Sequence, residues 1–235
     1  MRSEASRLAR RDRRASPRRA WLLAELGGGG AALAGIAVLI LALRAPGGPP
    51  GPSAAASAPR APVVGAPAAA AGAPAAVAAK GLPSPTAPPI RLRIPAIHVS
   101  TKIVDEGLDT DGALQVPPLT DAGVREVGWY DLGPAPGQVG SAIIVGHVDS
   151  RQAAGVFYDL GLLAPGNAVE VTLANGETVH FTVTSVQEYP KAHFPATEVY
   201  GPEPYPALSL ITCGGAFDSA TGHYLSNIVA YARMN

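Results

Sequence analysis

Apolar residues are laid out along this chain in two ways. One is an unbroken block, residues 26–43, which carries no charged side chain and is closed by Arg44. The other is a series of short runs after Ile90, each cut off by Gly, Pro, Asn or Asp. The short runs predict strands over residues 90–94, 99–102, 113–116, 141–147, 168–173, 178–186, 207–212 and 227–232. Asp111-Gly112, Pro136-Gly137, Pro165-Gly166 and Asn175-Gly176 supply the turns between them. The alternation on either side of Asn175-Gly176 predicts a hairpin. Many short strands at this spacing suggest a closed or nearly closed all-β barrel. The one helical period is brief: Val156, Leu160 and Leu163 share a face and predict a short helix over 156–163.

The unbroken block, as a helix, reaches about 27 Å, enough to cross a hydrocarbon core. Net charge sharpens this reading. The chain sums to zero, yet eight Arg lie in its first twenty residues, and from Ala45 onward nine basic residues face fifteen acidic ones. A cluster of Arg directly before an apolar span marks the cytoplasmic side, which puts the rest of the chain outside. It also removes the nucleic-acid reading of the basic tail. A cleaved signal peptide is the competing interpretation, with Ala54-Ala55-Ala56 as a cleavage region, but its apolar core is normally shorter. The sequence therefore divides into a basic cytoplasmic tail (1–20), a single-pass transmembrane signal-anchor (21–44), an Ala/Pro/Gly-rich disordered linker (45–89) and a folded extracellular domain (90–235). The linker's prolines favour extended polyproline-like geometry, and it would span roughly 100 Å fully extended.

Candidate chemistry centres on the one cysteine. Cys213 ends the run Leu208-Ser209-Leu210-Ile211-Thr212 and is followed by Gly214-Gly215. It has no partner for an internal disulfide, and an exported domain seldom keeps a free thiol without use for it. A buried small hydrophobe is the structural alternative. As a nucleophile Cys213 needs a base or a cation nearby. Of the five histidines, His147 leaves an apolar strand behind Gly146, as Cys213 leaves its own strand. His98, His180, His193 and His223 fall in turns, loops or a solvent-facing strand position. No cluster has metal-ligand spacing: Asp105, Glu106, Asp109 and Asp111 lack the pattern of a calcium loop. No cofactor or metal is expected.

Gly128-Trp129-Tyr130, Gly133-Pro134-Ala135-Pro136-Gly137, Gly146-His147-Val148-Asp149-Ser150 and Thr212-Cys213-Gly214-Gly215, in this order, resemble a sortase, most closely the class F branch of high-GC Gram-positive bacteria. The resemblance covers essentially all of residues 90–235. It implies an eight-stranded sortase-type β-barrel with short helices and a cell-wall cysteine transpeptidase. Cys213 would be the nucleophile on the Thr–Gly bond of a secreted protein's C-terminal LPXTG-like sorting signal, and His147 the acid/base. A lipid II-like peptidoglycan-precursor amine would take the acyl group. Tyr224 would form a substrate wall and the Gly214 N–H an oxyanion donor. One feature departs from the family. Its Arg on the strand after the cysteine should fall near residues 225–227, where this chain has Leu225, Ser226 and Asn227; Arg233 is about 20 Å too far along an extended strand. Asn227 as a neutral substitute, a loop Arg (Arg125 or Arg151), or a weak or degenerate, scaffold-like enzyme are the three explanations. Another wall-modifying cysteine enzyme, the L,D-transpeptidase, fits less well, because its cysteine follows a His-Gly pair and Cys213 follows Ile-Thr.

Overall fold

A computed structural model describes residues 48–57 and 87–235. The basic tail and the predicted membrane span lie outside the described residues. Among those described, no helix is long and apolar enough to cross a membrane.

Eight strands close into a barrel in the order β1-β2-β3-β4-β7-β8-β6-β5. They are β1 Pro89–Ile94, β2 Val99–Glu106, β3 Val127–Tyr130, β4 Gly140–Gly146, β5 Ala168–Leu173, β6 Thr178–Pro190, β7 Pro206–Asp218 and β8 His223–Met234. Neighbours are antiparallel except β2 with β3 and β4 with β7. The β1–β5 pairing closes the ring, so no strand edge is left open.

The barrel interior is filled from alternate positions: Leu92, Ile94, Ile144, Phe181, Leu208 and Leu210 belong to one buried cluster. A second apolar cluster sits on the outer face of β4, β7 and β8. It joins Ile143, Val145, Ile211, Val229 and Tyr231 to Val199, on the five-residue helix α1, Ala196–Tyr200. Strands β4 and β7 are thus covered on both faces, which is why they read as continuous apolar runs rather than alternating ones. The connection between β6 and β7, which carries α1, lies over this outer face.

Seven of the expected strands coincide with observed ones. Residues 113–116 do not form the eighth. They fold back in a turn whose only ladder contact is a Leu108–Leu114 bridge, because the Asp109 carboxylate takes the N–H groups of Asp111 and Ala113 at 2.9 Å each. The missing strand is β3, a four-residue segment between loops whose pairing with both β2 and β4 compensates for its length. The expected helix over 156–163 reduces to a 3-10 turn, Leu160–Leu162, with Phe157, Leu160 and Leu163 in the core. Within the stretch expected to be a disordered tether, residues 48–57 pack on the barrel. Ala56 is fully buried, and its carbonyl accepts the Val186 N–H at 2.9 Å. Pro50 fits against Gly161, where a Cβ would fall 2.0 Å from the Pro50 carbonyl oxygen. Small residues make this possible: Ala and Gly let backbone approach backbone.

Candidate active site

The parallel pairing of β4 with β7 sets Val145 beside Ile211. Continuing that register one residue past the end of β4 brings His147 level with Cys213. The two strand ends are locked by a buried hydrogen bond from the Thr212 hydroxyl to the Gly146 carbonyl, 2.8 Å. Gly146 is required here, since a Cβ would meet Phe157 at 2.7 Å. Strand alternation puts Cys213 on the same outer face as Ile211, and Asn227 of β8 lies directly opposite it. Beyond Asn227, in β6, stands Tyr189.

After Cys213 the β7–β8 register shifts between Gly214 and Phe217. Gly215 makes the bulge, with φ of 73°, a left-handed backbone that favours glycine. A Cβ on Gly214 would lie 2.5 Å from Ile228, so both residues after Cys213 are held to glycine by space or by backbone. The bulge turns the hairpin end outward. There Phe217 and Tyr224 pack edge to face at 5.1 Å, with Phe217 largely exposed.

His147 is held by Pro117, in the β2–β3 loop: its Nε2 lies 2.6 Å from the Pro117 carbonyl oxygen. A carbonyl only accepts, so Nε2 carries a proton and Nδ1 is the nitrogen left to exchange one. Asp149, which follows His147 by two residues, is engaged elsewhere, accepting a hydrogen bond from the Tyr224 hydroxyl. That contact ties the β7–β8 hairpin to the loop after β4. Burial, then the bond to Asp149 and its charge, push the Tyr224 phenol well above the usual tyrosine range, with Tyr158 and Cys213 adding to the effect. Tyr224 is therefore a fixed donor close to the sulfur. Tyr158 also borders a surface groove of about 300 Å³, shared with His98 and Arg125.

Of the sequence candidates, the structure assembles Cys213, Asn227, Gly214 and Tyr224 around one strand end, with His147 on the neighbouring one. The loop arginines fall differently: Arg125 lines the groove, and Arg151 is exposed in the turn after Asp149. Arg233 stacks over Tyr205 at 4.1 Å, at the far end of β7. The cation at the sulfur is a residue the sequence reading passed over. Lys191, in the 3-10 turn Lys191–His193 that follows β6, donates from Nζ to Cys213 Sγ at 3.4 Å. Pro117 was missed as well. Neither has a local signal, because each reaches the site from a different connection. Among the described residues no group of His, Cys, Asp or Glu is arranged to hold a metal ion.

A thiol, an imidazole just past the end of the neighbouring strand and a cation on the sulfur are parts of an acyl-transferring cysteine site. The sortase-domain family profile matches residues 92–235, and the chain belongs to the sortase family. Solved structures with a similar fold include sortase A from Corynebacterium diphtheriae (19% identical over 63% of this chain and 61% of that one, TM-score 0.46) and sortase C-1 from Actinomyces oris (20%, 62% and 72%, TM-score 0.46). Sortase A from Listeria monocytogenes is also similar (14%, 64% and 88%, TM-score 0.46). The match thus spans about 61% of the Corynebacterium diphtheriae chain. No curated protein sequence matched.

Proposed function

We propose that this protein is a membrane-anchored, class F-like sortase that joins secreted proteins to the cell wall. The Cys213 thiol passes its proton to His147, and the sulfur attacks the Thr carbonyl carbon of an LPXTG-like signal. The Thr–Gly C–N bond breaks, a thioester forms on Cys213, and the departing Gly amine takes a proton from His147. A peptidoglycan-precursor amine then attacks the thioester. The new amide forms, its proton passes to His147, and the Cys213 sulfur leaves. The Gly214 N–H stands next to the carbonyl oxygen that becomes negative in both steps. The observation that carries this reading is the register of β4 with β7, which sets His147, just past the end of β4, level with Cys213 within β7. The motifs around Trp129, Pro134, His147 and Cys213 support the class F assignment, and the Arg-rich start with its apolar block supports the anchor.

The test uses the full chain in detergent with a Leu-Pro-Glu-Thr-Gly peptide and a glycine-type amine. Intact mass should show an acyl adduct on Cys213 and the exchanged peptide. Cys213→Ala should give neither. Exchange by that variant would overturn the assignment, and a folded wild type that forms neither adduct nor product would reject this motif or point to a catalytically silent scaffold.

A further inference from the structure

We propose that Lys191 is a catalytic residue, the cation that faces the Cys213 sulfur and then the developing oxyanion, in place of the arginine that the sortase family carries on the strand after the cysteine. The proposal rests on the transpeptidase reading above and adds a residue to it.

The topology makes the substitution intelligible. Strand β8 lies between β6 and β7, with Tyr189, Asn227 and Cys213 in one row across the three. Pro190 stands level with Ser226, and the chain then leaves β6 in the 3-10 turn that begins with Lys191. Neighbouring strands are about 4.8 Å apart, so a side chain from the end of β6 must cross β8 to reach β7. Lysine has the reach, with a four-carbon stem ending in a compact ammonium of three rotatable donors. The residue it crosses is Asn227, short enough to leave the path open. An arginine at 227 would project from the same face into the same space. A long cation from β8 and a long cation from the end of β6 are therefore alternatives, and this chain has the second. The chain has three lysines against fifteen arginines, so an ammonium at this position is also against its general usage.

The chemistry fits the position. Nζ is already a donor to sulfur at 3.4 Å. During attack, negative charge moves from sulfur to the carbonyl oxygen one bond away, and an ammonium that pivots on its stem follows it. A donor that meets the developing oxyanion is worth about 10²–10³ in rate. Lys191 moves no proton in this scheme; His147 keeps that role.

The test compares full-length Lys191→Met, Lys191→Arg, Asn227→Arg and the double variant Lys191→Met/Asn227→Arg by two readouts. The first is kcat/KM for peptide exchange. The second is the rate of alkylation of the chain's only cysteine by iodoacetamide at neutral pH, which needs no substrate. Lys191→Met should lose about 10²–10³ in kcat/KM and about tenfold in alkylation rate. Lys191→Arg should keep most of both, and the double variant should recover most of what Lys191→Met loses. A folded Lys191→Met within twofold of wild type in either readout would overturn the proposal. So would a loss that neither arginine restores, which would mark Lys191 as a structural residue. If the wild type ignores the peptide, the sorting-signal reading fails, and the alkylation series alone decides the role of Lys191.

Discussion

At the scale of single residues, the site depends on a few atoms with no freedom of choice. His147 Nε2 faces an acceptor that has no hydrogen of its own. Nitrogen NMR of the resting enzyme should therefore report the Nε2–H tautomer for His147 wherever the ring is neutral. Gly215→Ala should destabilise the fold by about 1–2 kcal/mol from its left-handed backbone alone, and more because a Cβ would lie 2.5 Å from Glu188 Oε1; urea denaturation measures it. Tyr224 supplies a pH test. Its folded pKa is raised, so its contribution to stability is complete below the ordinary tyrosine range and is lost as pH rises through its higher folded value. Spectrophotometric titration should find Tyr224 still protonated where exposed tyrosines have ionised, with Tyr200 also delayed by burial. Tyr224→Phe should remove one late-titrating group. Cys213 and His147 stand out in the sequence because each ends an apolar run behind or before a glycine. Lys191 does not, because its contact joins residues 22 positions apart across an intervening strand. No local pattern encodes such a crossing.

At the scale of elements, strand existence was legible and strand ends were not. Apolar runs and turn dipeptides place seven strands, but β2, β6, β7 and β8 all extend past the expected limits. The extensions have no clean alternation, and their strand state comes from pairing: β6 continues to Pro190 because β8 runs alongside it to Ser226. Strand β3 was hidden for the same reason, since four residues carry too little pattern to announce themselves. The β7–β8 hairpin is the element most open to pH. Asp218 accepts the Ala220 N–H and the Thr221 hydroxyl at 2.9 Å each, and these bonds hold its carboxyl below the usual range. Its support of the turn is therefore complete above the ordinary aspartate range and fades as pH falls through the lower folded value. Amide exchange at residues 218–223 should accelerate on acidification before the barrel core does, and Asp218→Ala should show the faster exchange at neutral pH. Thr212→Val removes the bond that locks β7 to β4. It should cost about 1 kcal/mol and lower exchange activity more than stability, because His147 and Cys213 then lose their fixed register.

At the scale of the whole molecule, the catalytic barrel recruits a piece of the stretch before it. Composition alone gave no reason to expect this, since Ala, Pro and Gly bury little area and carry no periodic pattern. What matters is their small size where backbone meets backbone, at Pro50 against Gly161 and Ala56 against Val186. A chain cut to begin at Pro83, which keeps all of β1, leaves the Val186 N–H without its partner and uncovers the Ala56 site. Its Tm should fall by several degrees relative to a chain beginning at Ala45, a loss of about 1–3 kcal/mol. Equal melting temperatures would show that residues 48–57 add nothing to stability.

The seating of residues 48–57 also has a mechanical meaning. A pull on the N-terminal end of the chain reaches this segment before it reaches β1. The segment is held through the Ala56–Val186 backbone hydrogen bond, the buried Ala56 and the seat of Pro50 on Gly161, while β1 is stitched along both edges to β2 and β5. Under load the weaker fastening should let go before the barrel strands do. In a single-molecule stretching trace this is a low-force step ahead of barrel rupture. Gly51 lies beside Glu188, whose other oxygen lies beside Gly215, so the fastening sits one carboxylate away from the bulge that follows the nucleophile. On this ordering of contacts the segment should yield before β1 does.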